Sequence, residues 1–527
     1  MASDQKGLGW WVAAVLAAVG LMAFHLVWGD LNQDEGWYLY AAQRTWEGAW
    51  PYRDYAFTQG PLWPLLYSWL TPLVRWGGVL AGRVATACLG LMTAGLAARL
   101  AGRLTPDPQA RPTAVFAAFC LAAIHPVQAY YMSVVKTYAL SGLFLTAGLL
   151  LFPRVDDDRR ALRAFASLWL LTAAAAVRGS AAVAVGIALA VLIAGERNDR
   201  ESLLGGLLGS AVGMAVFLLP FYLGSPEGFR FGLVEYHAGR TAGGWLSSLL
   251  LKAGFVSRVA QAFYAVAILS GLAWWVRRAT MDAPAKGDRR WTLVGLTLAG
   301  MTLMHLAAPF PYDDYQVPVY PLAAAGTAAL AASLPSWRPF LGPALLGAMG
   351  LAALASPLNQ EWMVRERDRI WWRMKDRPPL FRLREAAAEI ERLDPGGTTL
   401  LTQDLYLAVE SRRRVPAGLE LGPFSIFPGL SEEEAAARRV MTLDRLEALL
   451  REGPCSLAAF SGYGLAIRAP EIVELRPEER ERLWTALQSR YRPVGEIPFF
   501  GQAGTTLTLW RRKEAEERPQ AGRRLGD

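Results

Sequence analysis

Residues 10–28 read WWVAAVLAAVGLMAFHLVW, and residues 31–46 read LNQDEGWYLYAAQRTW. The first stretch is apolar and close to the roughly 20 residues that a helix needs to span a bilayer. The second stretch places Asp34 and Glu35 where such a helix would leave the hydrocarbon. Because acids at membrane depth are costly and tend to be functional, this boundary predicts a membrane protein with an acidic site near its surface.

The composition also indicates a protein that crosses the membrane several times. Of 527 residues, 53% are hydrophobic and 19% are charged, and the mean hydropathy is +0.21. An average soluble protein carries about 25% charged residues. Many arginines flank the apolar blocks, so the net charge of +8 does not indicate a nucleic-acid partner. Cys88, Cys120 and Cys455 lie far apart and show no metal-ligand spacing.

Apolar blocks predict about eleven transmembrane helices. The first is interpreted as an uncleaved anchor rather than as a removed signal peptide. The predicted spans are 9–28, 79–100, 112–131, 133–152, 161–177, 179–194, 203–222, 254–276, 291–308, 317–334 and 339–357.

Charges in the connecting loops predict the orientation. Alternate loops such as RLTPDPQAR and RRATMDAPAKGDRR are rich in arginine and lysine, which favours the inner side. The opposite loops, including the one with Asp34 and Glu35, then face outward. We therefore expect a multi-pass protein of the plasma (inner) membrane with its C-terminal domain in the periplasm or outside the cell.

The chain divides by composition into four parts. Residues 1–358 are predicted to form a transmembrane domain with interfacial helices in its first outer loop, 29–78. Residues 359–377 read as a juxtamembrane linker, and 378–512, where strands and helices alternate, as a soluble α/β domain. Residues 513–527 are expected to be a disordered tail.

The first outer loop begins with a capping-box pattern. Asn32 is followed three residues later by Glu35, which predicts reciprocal hydrogen bonds at a helix N-terminus. That helix would run to about Gly48 and lie along the membrane interface with its aromatic rings. The acids alone have a simpler explanation, since the helix dipole favours acids at an N-terminus by about 0.3–1 kcal/mol.

The acidic pair after the first span, the interfacial helix and the turn Gln59-Gly60-Pro61-Leu62 together resemble the GT-C glycosyltransferases. More narrowly, the chain resembles the protein O-mannosyltransferase-like family (glycosyltransferase family 39), which includes relatives of the lipid A aminoarabinose transferases. A second resemblance is PYDDYQVPVYPLAAA at 311–325. The resemblance covers about the first 360 residues and implies a GT-C-like fold.

The resemblance implies transfer of a sugar from a polyprenyl-phosphate donor to a lipid, glycan or protein acceptor hydroxyl on the outer face. The family's acidic position falls on Asp34. A hydroxyl nucleophile needs a base within hydrogen-bond reach, which makes Asp34 the candidate base, with inversion at the anomeric carbon. Glu35 is expected either to orient the acceptor or to hold the helix cap.

Two further sets of side chains are candidates for the site. The leaving phosphate needs fixed cations, and snorkelling to the interface is the alternative for each candidate. Candidate phosphate ligands are Lys136, Arg178, Arg240 and Arg258, and candidate acceptor or sugar ligands are His237, Asp313, Asp314 and Tyr320. The alternatives for the latter are a solvated turn for the two aspartates and a belt position for Tyr320.

The sequence departs from the family at two points. The aminoarabinose branch tends to have Lys-Pro-Pro-Leu where this chain has Gly60-Pro61-Leu62 after Gln59, so a lysine near the phosphate is missing. The acidic motifs of metal-dependent oligosaccharyltransferases are also missing from YYMSVVK and IWWRMKD. We therefore expect no cofactor and no obligatory metal, with a divalent ion left open.

The main alternative function is a transporter or flippase of lipid-linked sugars. Transporters commonly show internal repeats and helices broken at mid-bilayer, and neither pattern is evident in this sequence. The acids also lie at the predicted outer edge rather than at mid-bilayer, which favours the enzyme.

Overall fold

The computed structural model describes residues 2–154, 157–195, 199–240, 244–260, 267, 271, 289–333, 377–502 and 504–513. The chain forms two compact units. The first unit comprises Met1–Asp30, Thr58–Leu70 and Leu80–Pro378, and the second comprises Leu31–Phe57, Thr71–Val79 and Pro379–Asp527. Much of the outer loop that the sequence assigned to the membrane domain therefore packs in the second unit.

Helices make up the chain as far as residue 333. They are α1 Ala2–Trp28, α2 Gln33–Trp46, α3 Leu62–Ser68, α4 Thr71–Leu104, α5 Arg111–Ala123, α6 Pro126–Tyr131, α7 Tyr138–Leu151, α8 Arg160–Val177, α9 Ala182–Ile193, α10 Arg200–Phe217, α11 Leu219–Gly224, α12 Pro226–Arg230, α13 Tyr236–Ala238, α14 Trp245–Val259, α15 Arg289–Ala307 and α16 Tyr320–Ala332. Short 3₁₀ turns at Gly179–Ala181 and Asp313–Gln316 and a π-helix at Phe231–Glu235 lie between them.

Apolar helices occupy the predicted spans within the described residues. Four of them are long and apolar enough to cross a membrane: Leu8–Trp28, Thr71–Leu104, Arg160–Val177 and Arg200–Gly224. The predicted span 112–131 is divided before Pro126, because proline lacks the amide that a continuous helix needs. The span 339–357, most of 261–276, the linker 359–376 and the tail from 514 lie outside the described residues.

Small residues allow α10 to pack closely on α8. A Cβ atom at Gly205 would lie 2.2 Å from the carbonyl oxygen of Ala161, and one at Gly209 would lie 2.3 Å from that of Phe165. Such spacing of small residues permits close backbone approach in membrane helices. Residues 205–213, GGLLGSAVG, are therefore a helix-packing stretch.

Helix α4 has a break at Gly78. Its backbone there has φ 66° and ψ −153°, a region that residues with a Cβ rarely adopt. The carboxylate of Glu410 accepts a hydrogen bond from the amide of Val79, the residue after the break, at 2.8 Å. The break lies next to residue 79, where the apolar pattern predicted a span to begin.

The second unit adds a mixed sheet and five helices to α2. The helices are α17 Pro379–Leu393, α18 Leu405–Glu410, α19 Glu432–Ala437, α20 Leu443–Glu452 and α21 Pro477–Arg490. The strands are β1 Leu401–Thr402, β2 Leu457–Phe460, β3 Ile467–Arg468, β4 Val473–Glu474, β5 Tyr491–Phe500 and β6 Thr505–Arg512. Four strands form a sheet in the order β1-β2-β6-β5, in which β1 and β2 are parallel and the other pairs antiparallel, and β3 pairs with β4.

Candidate functional site

The predicted site residues belong to both units. Asp34 and Glu35 lie in the second unit, and the other candidates lie in the first. Each group is built by its own local structure, and the two are described in turn.

Lys136 and Asp314 form a buried ion pair in the first unit. The Lys136 ammonium lies 3.0 Å from the Asp314 carboxylate, and the two side chains are 8% and 13% exposed. The Tyr138 hydroxyl donates to the same carboxylate oxygen at 2.7 Å. Burial of Asp314 favours its neutral form, but Lys136, the Tyr138 hydrogen bond and Arg178 outweigh that effect and hold its pKa below the ordinary value.

Arg178 joins this cluster from the end of α8. Its guanidinium donates to the hydroxyl of Thr137 at 3.2 Å. The same group lies over the rings of Tyr138 and Tyr315, 4.9 and 4.7 Å from their centroids. Stacking on aromatic rings fixes the plane of the guanidinium. The N–H groups along its edge remain able to donate hydrogen bonds.

His237 and Arg240 lie on the segment that follows α12. The ring Nε2 of His237 donates to the carbonyl oxygen of Thr58 at 2.8 Å. Burial, with nearby Arg240, lowers the pKa of His237 to about 4, so this histidine is neutral at physiological pH. The guanidinium of Arg240 lies 5.1 Å from the ring centroid of Tyr236.

The charged groups of this cluster all influence one side chain, Tyr315. Burial raises the pKa of Tyr315, and Asp314 raises it further, whereas Arg240, Arg178 and Lys136 act to lower it. The charges of three cations and one carboxylate therefore act on this tyrosine, and the cations outnumber the acid. A partly desolvated site of this kind attracts an anion.

The remaining candidates of the first unit make separate contacts. Arg258 Nε donates to both carboxylate oxygens of Asp313, at 3.0 and 2.9 Å. Tyr320 is buried, with its ring centroid 5.1 Å from that of His125. The adjacent acids Asp313 and Asp314 thus each hold a different cation.

In the second unit, α2 begins with the predicted capping box. The side chain of Asn32 accepts from the amide of Asp34 at 3.0 Å, and Glu35 Oε2 accepts from the amide of Asn32 at 3.0 Å. Glu35 is fully buried. The carboxylate of Asp34 is half-buried and accepts from the indole of Trp37 at 3.1 Å. Glu35 therefore holds the cap, and Asp34 is the more accessible acid.

Sequence reasoning did not identify several polar residues around these groups. Tyr138 and Tyr315 complete the cation cluster, and Asp404 and Tyr406 bind the side chain of Gln33 at the start of α2. The only available signal was the presence of tyrosines next to charged residues at predicted helix ends, which is equally typical of a membrane belt. Within the described ranges, no group of three or more His, Cys, Asp or Glu side chains could hold a metal ion.

Comparison with solved structures identifies the fold. ArnT from Cupriavidus metallidurans bound to undecaprenyl phosphate matches with a TM-score of 0.58 and 15% identity, over 95% of this chain and 98% of that chain. ArnT in its apo state gives a TM-score of 0.54 at 15% identity, over 96% and 98%. The apo oligosaccharyltransferase of Archaeoglobus fulgidus gives 0.51 at 12% identity, over 98% and 75%. No protein-family model and no curated protein sequence matches the chain.

These neighbours confirm the predicted relation to the GT-C fold. The protein is a polytopic α-helical membrane protein of that fold, with likeness along nearly its whole length. At 12–15% identity, the likeness establishes the fold and leaves the family within it a prediction.

Proposed function

We propose that this protein is a membrane glycosyltransferase. It moves a sugar from a polyprenyl-phosphate donor to a hydroxyl of a lipid, glycan or protein acceptor on the outer face of the plasma (inner) membrane. The observation that carries the proposal is the likeness, over 95% of the chain, to an ArnT structure that holds undecaprenyl phosphate.

The cation cluster of the first unit supports binding of the donor phosphate. The positive charges of Lys136, Arg178 and Arg240 all act on Tyr315 and outnumber the negative charge of Asp314. A lipid phosphate that departs from the anomeric carbon gains negative charge, which preorganised cations stabilise. Arg178 suits this role because its stacked guanidinium presents several donors in a fixed plane. Arg258, paired with Asp313, would contribute at longer range.

Asp34 is the proposed general base. The attacking hydroxyl must lose a proton as it bonds to the anomeric carbon, and a carboxylate with several acceptor positions can receive that proton. The bond to the phosphate breaks on the opposite face, so the product has inverted configuration. The cap formed by Asn32 and Glu35 supports this role, because it holds the first turn of α2 that carries Asp34.

The acceptor and the sugar would contact polar side chains near the cation cluster. His237 is neutral and lies beside Arg240, so its ring can hydrogen-bond to a sugar hydroxyl without adding charge. Asp313 and Asp314 belong to one 3₁₀ turn, and Tyr320 follows it on α16. These assignments, like the choice of sugar, remain part of the proposal.

The test is a transfer assay with the purified full-length protein. It is given radiolabelled polyprenyl-phosphate sugars and membrane acceptors, alongside Asp34→Asn. We expect the substitution to lower the rate of transfer about a hundred- to ten-thousandfold and to leave a small residual rate, because an amide cannot take up the proton at neutral pH. The matched control is Asp444→Asn, at an aspartate whose side chain is 77% exposed on α20.

The outcomes separate the enzyme from the alternative. Transfer that persists in Asp34→Asn at the rate of the Asp444→Asn control would remove Asp34 from the chemistry. Flux of lipid-linked sugar across proteoliposomes, with no transfer from any donor, would identify a transporter or flippase instead.

A second experiment tests the phosphate site through Lys136→Met. We expect the KM for the donor and the Kd for undecaprenyl phosphate to rise about ten- to a hundredfold, since a hydrogen bond to a charged group contributes about 1.5–3 kcal/mol. Lys252→Met on α14 is the matched control and should leave both constants unchanged. Equal affinities for the two variants would exclude Lys136 as a phosphate ligand.

A further inference from the structure

Asp404 is a buried carboxylate of the second unit that the proposed chemistry does not use. It is 1% exposed. Its oxygens accept hydrogen bonds from the Tyr406 hydroxyl at 3.0 Å, from the Ser461 hydroxyl at 2.9 Å and from the Ser461 amide at 3.1 Å. Burial raises its pKa, although these bonds act in the opposite direction. So many donors around one buried acid indicate a position that the fold defines closely.

Gln33 connects this carboxylate to α2. Its side-chain amide donates to both Asp404 Oδ1 and the Tyr406 hydroxyl, each at 3.0 Å. Its main-chain amide donates to the side chain of Gln502 at 2.8 Å. Gln33 is the first residue of α2 and directly precedes Asp34, so main chain and side chain are both anchored at the turn that carries the proposed base.

Two further contacts prevent α2 from shifting. A Cβ at Gly36 would lie 2.2 Å from the backbone nitrogen of Tyr406, so the first turn of α2 rests directly on the start of α18. One turn later, the hydroxyl of Tyr40 accepts from the amide of Val415 at 3.0 Å. Rotation of α2 about its axis would break these contacts together.

We propose that Gln33 and Asp404 are positioning residues for the transfer reaction. They act through the first turn of α2, whose orientation determines where the carboxylate of Asp34 meets the acceptor hydroxyl. This inference rests on the proposed function. General-base catalysis depends on alignment at hydrogen-bond distance, so a small displacement of Asp34 lowers the rate while substrate binding at other groups is retained.

The test is Gln33→Met in the full-length protein. This substitution keeps the length of the side chain and removes both of its bonds, and Asp404 retains its bonds from Tyr406 and Ser461. We expect kcat to fall about ten- to a hundredfold, with the KM for donor and acceptor nearly unchanged. We also expect faster amide hydrogen exchange at the start of α2.

A control and a double variant separate positioning from loss of stability. Tyr491→Phe removes another buried hydrogen bond of the second unit, from the Tyr491 hydroxyl to the carbonyl of Cys455 at 2.9 Å. It should lower the unfolding temperature and leave kcat unchanged. In the Asp34→Asn background, Gln33→Met should cause no further loss of residual rate, because its effect acts through Asp34.

Each result decides the inference. Wild-type kcat in Gln33→Met, or an equal fractional loss with and without Asp34, would overturn it. Losses of kcat in Gln33→Met and Tyr491→Phe that both follow the unfolding temperature would show a structural role alone. Absence of transfer by the wild-type protein with every donor would instead refute the proposed function, whatever hydrogen exchange shows for α2.

Discussion

Glu420 links the stability of the second unit to pH. Its side chain is buried, and one oxygen accepts from the amide of Gly418 at 2.7 Å. Burial raises its pKa from 4.5 to about 7, although backbone hydrogen bonds and nearby Arg44 and Arg439 act to lower it. Because the pKa is raised in the folded state, the protonated form of Glu420 stabilises the fold. This contribution is fully present below the pKa of the unfolded chain, 4.5, and is lost as pH rises through about 7.

The direction of this pH dependence leads to a prediction for the stability of Glu420→Gln. Glutamine resembles the protonated acid and retains an oxygen for Gly418, so the variant should match the wild type near pH 4.5. Above pH 7 it should be more stable by up to about 3 kcal/mol. Thermal unfolding of the purified protein across this pH range measures the difference. Glu433→Gln, at an exposed acid of α19, should show no such trend, and a pH-independent gain in Glu420→Gln would contradict the argument.

Single residues differ in how far their roles could be predicted from sequence. The cap formed by Asn32 and Glu35 involves positions three residues apart, so a local pattern was sufficient to predict it. The pair of Lys136 and Asp314 joins positions 178 residues apart. Both were candidates because of their chemistry, but only the packing of the helices determines which cation each acid holds.

Among the elements, α2 shows how a cap can be distinguished from a catalytic group. Glu35 was predicted either to orient the acceptor or to hold the helix, and in the structure its carboxylate binds the amide of Asn32. We expect Glu35→Gln to retain activity, because glutamine serves equally well at this position of a capping box. Glu35→Ala should cost about 1 kcal/mol of stability, as the loss of a cap does, and should lower kcat.

The comparison of the two Glu35 variants uses transfer rates and unfolding temperatures. Activity in Glu35→Gln together with loss in Glu35→Ala identifies the cap as the function of this side chain. Loss of activity in Glu35→Gln at an unchanged unfolding temperature would mean that the negative charge itself takes part in the reaction.

Element types followed from periodicity more readily than element boundaries did. Long apolar blocks predicted most helices of the first unit, because one property repeats over many residues. Pro493, Gly495 and Pro498 are typical of turns, so the sequence pattern does not predict β5 as a strand. The strand lies at the edge of the sheet, with irregular register at two points, where proline is tolerated.

At the scale of the whole molecule, the resemblance to GT-C enzymes was recognisable from the acidic pair, the interfacial helix and the topology, and the structural neighbours confirm the fold. The sequence did not predict which segments of the chain form the second unit. It assembles Leu31–Phe57 and Thr71–Val79 with Pro379–Asp527. The spacing of apolar residues predicts the type of each segment separately. Which element packs on α2 depends instead on contacts between segments that are far apart in sequence.

The discontinuous second unit has a consequence for biosynthesis. The ribosome makes α2 early, but α18, on which Gly36 rests, is translated only after the helices of the first unit. The nascent loop therefore has no contact with α18 until the helices of the first unit have been translated. A premature stop codon ahead of residue 405 would spare the helices of the first unit and yet leave Asp34 on a helix that lacks the contact of Gly36 with α18.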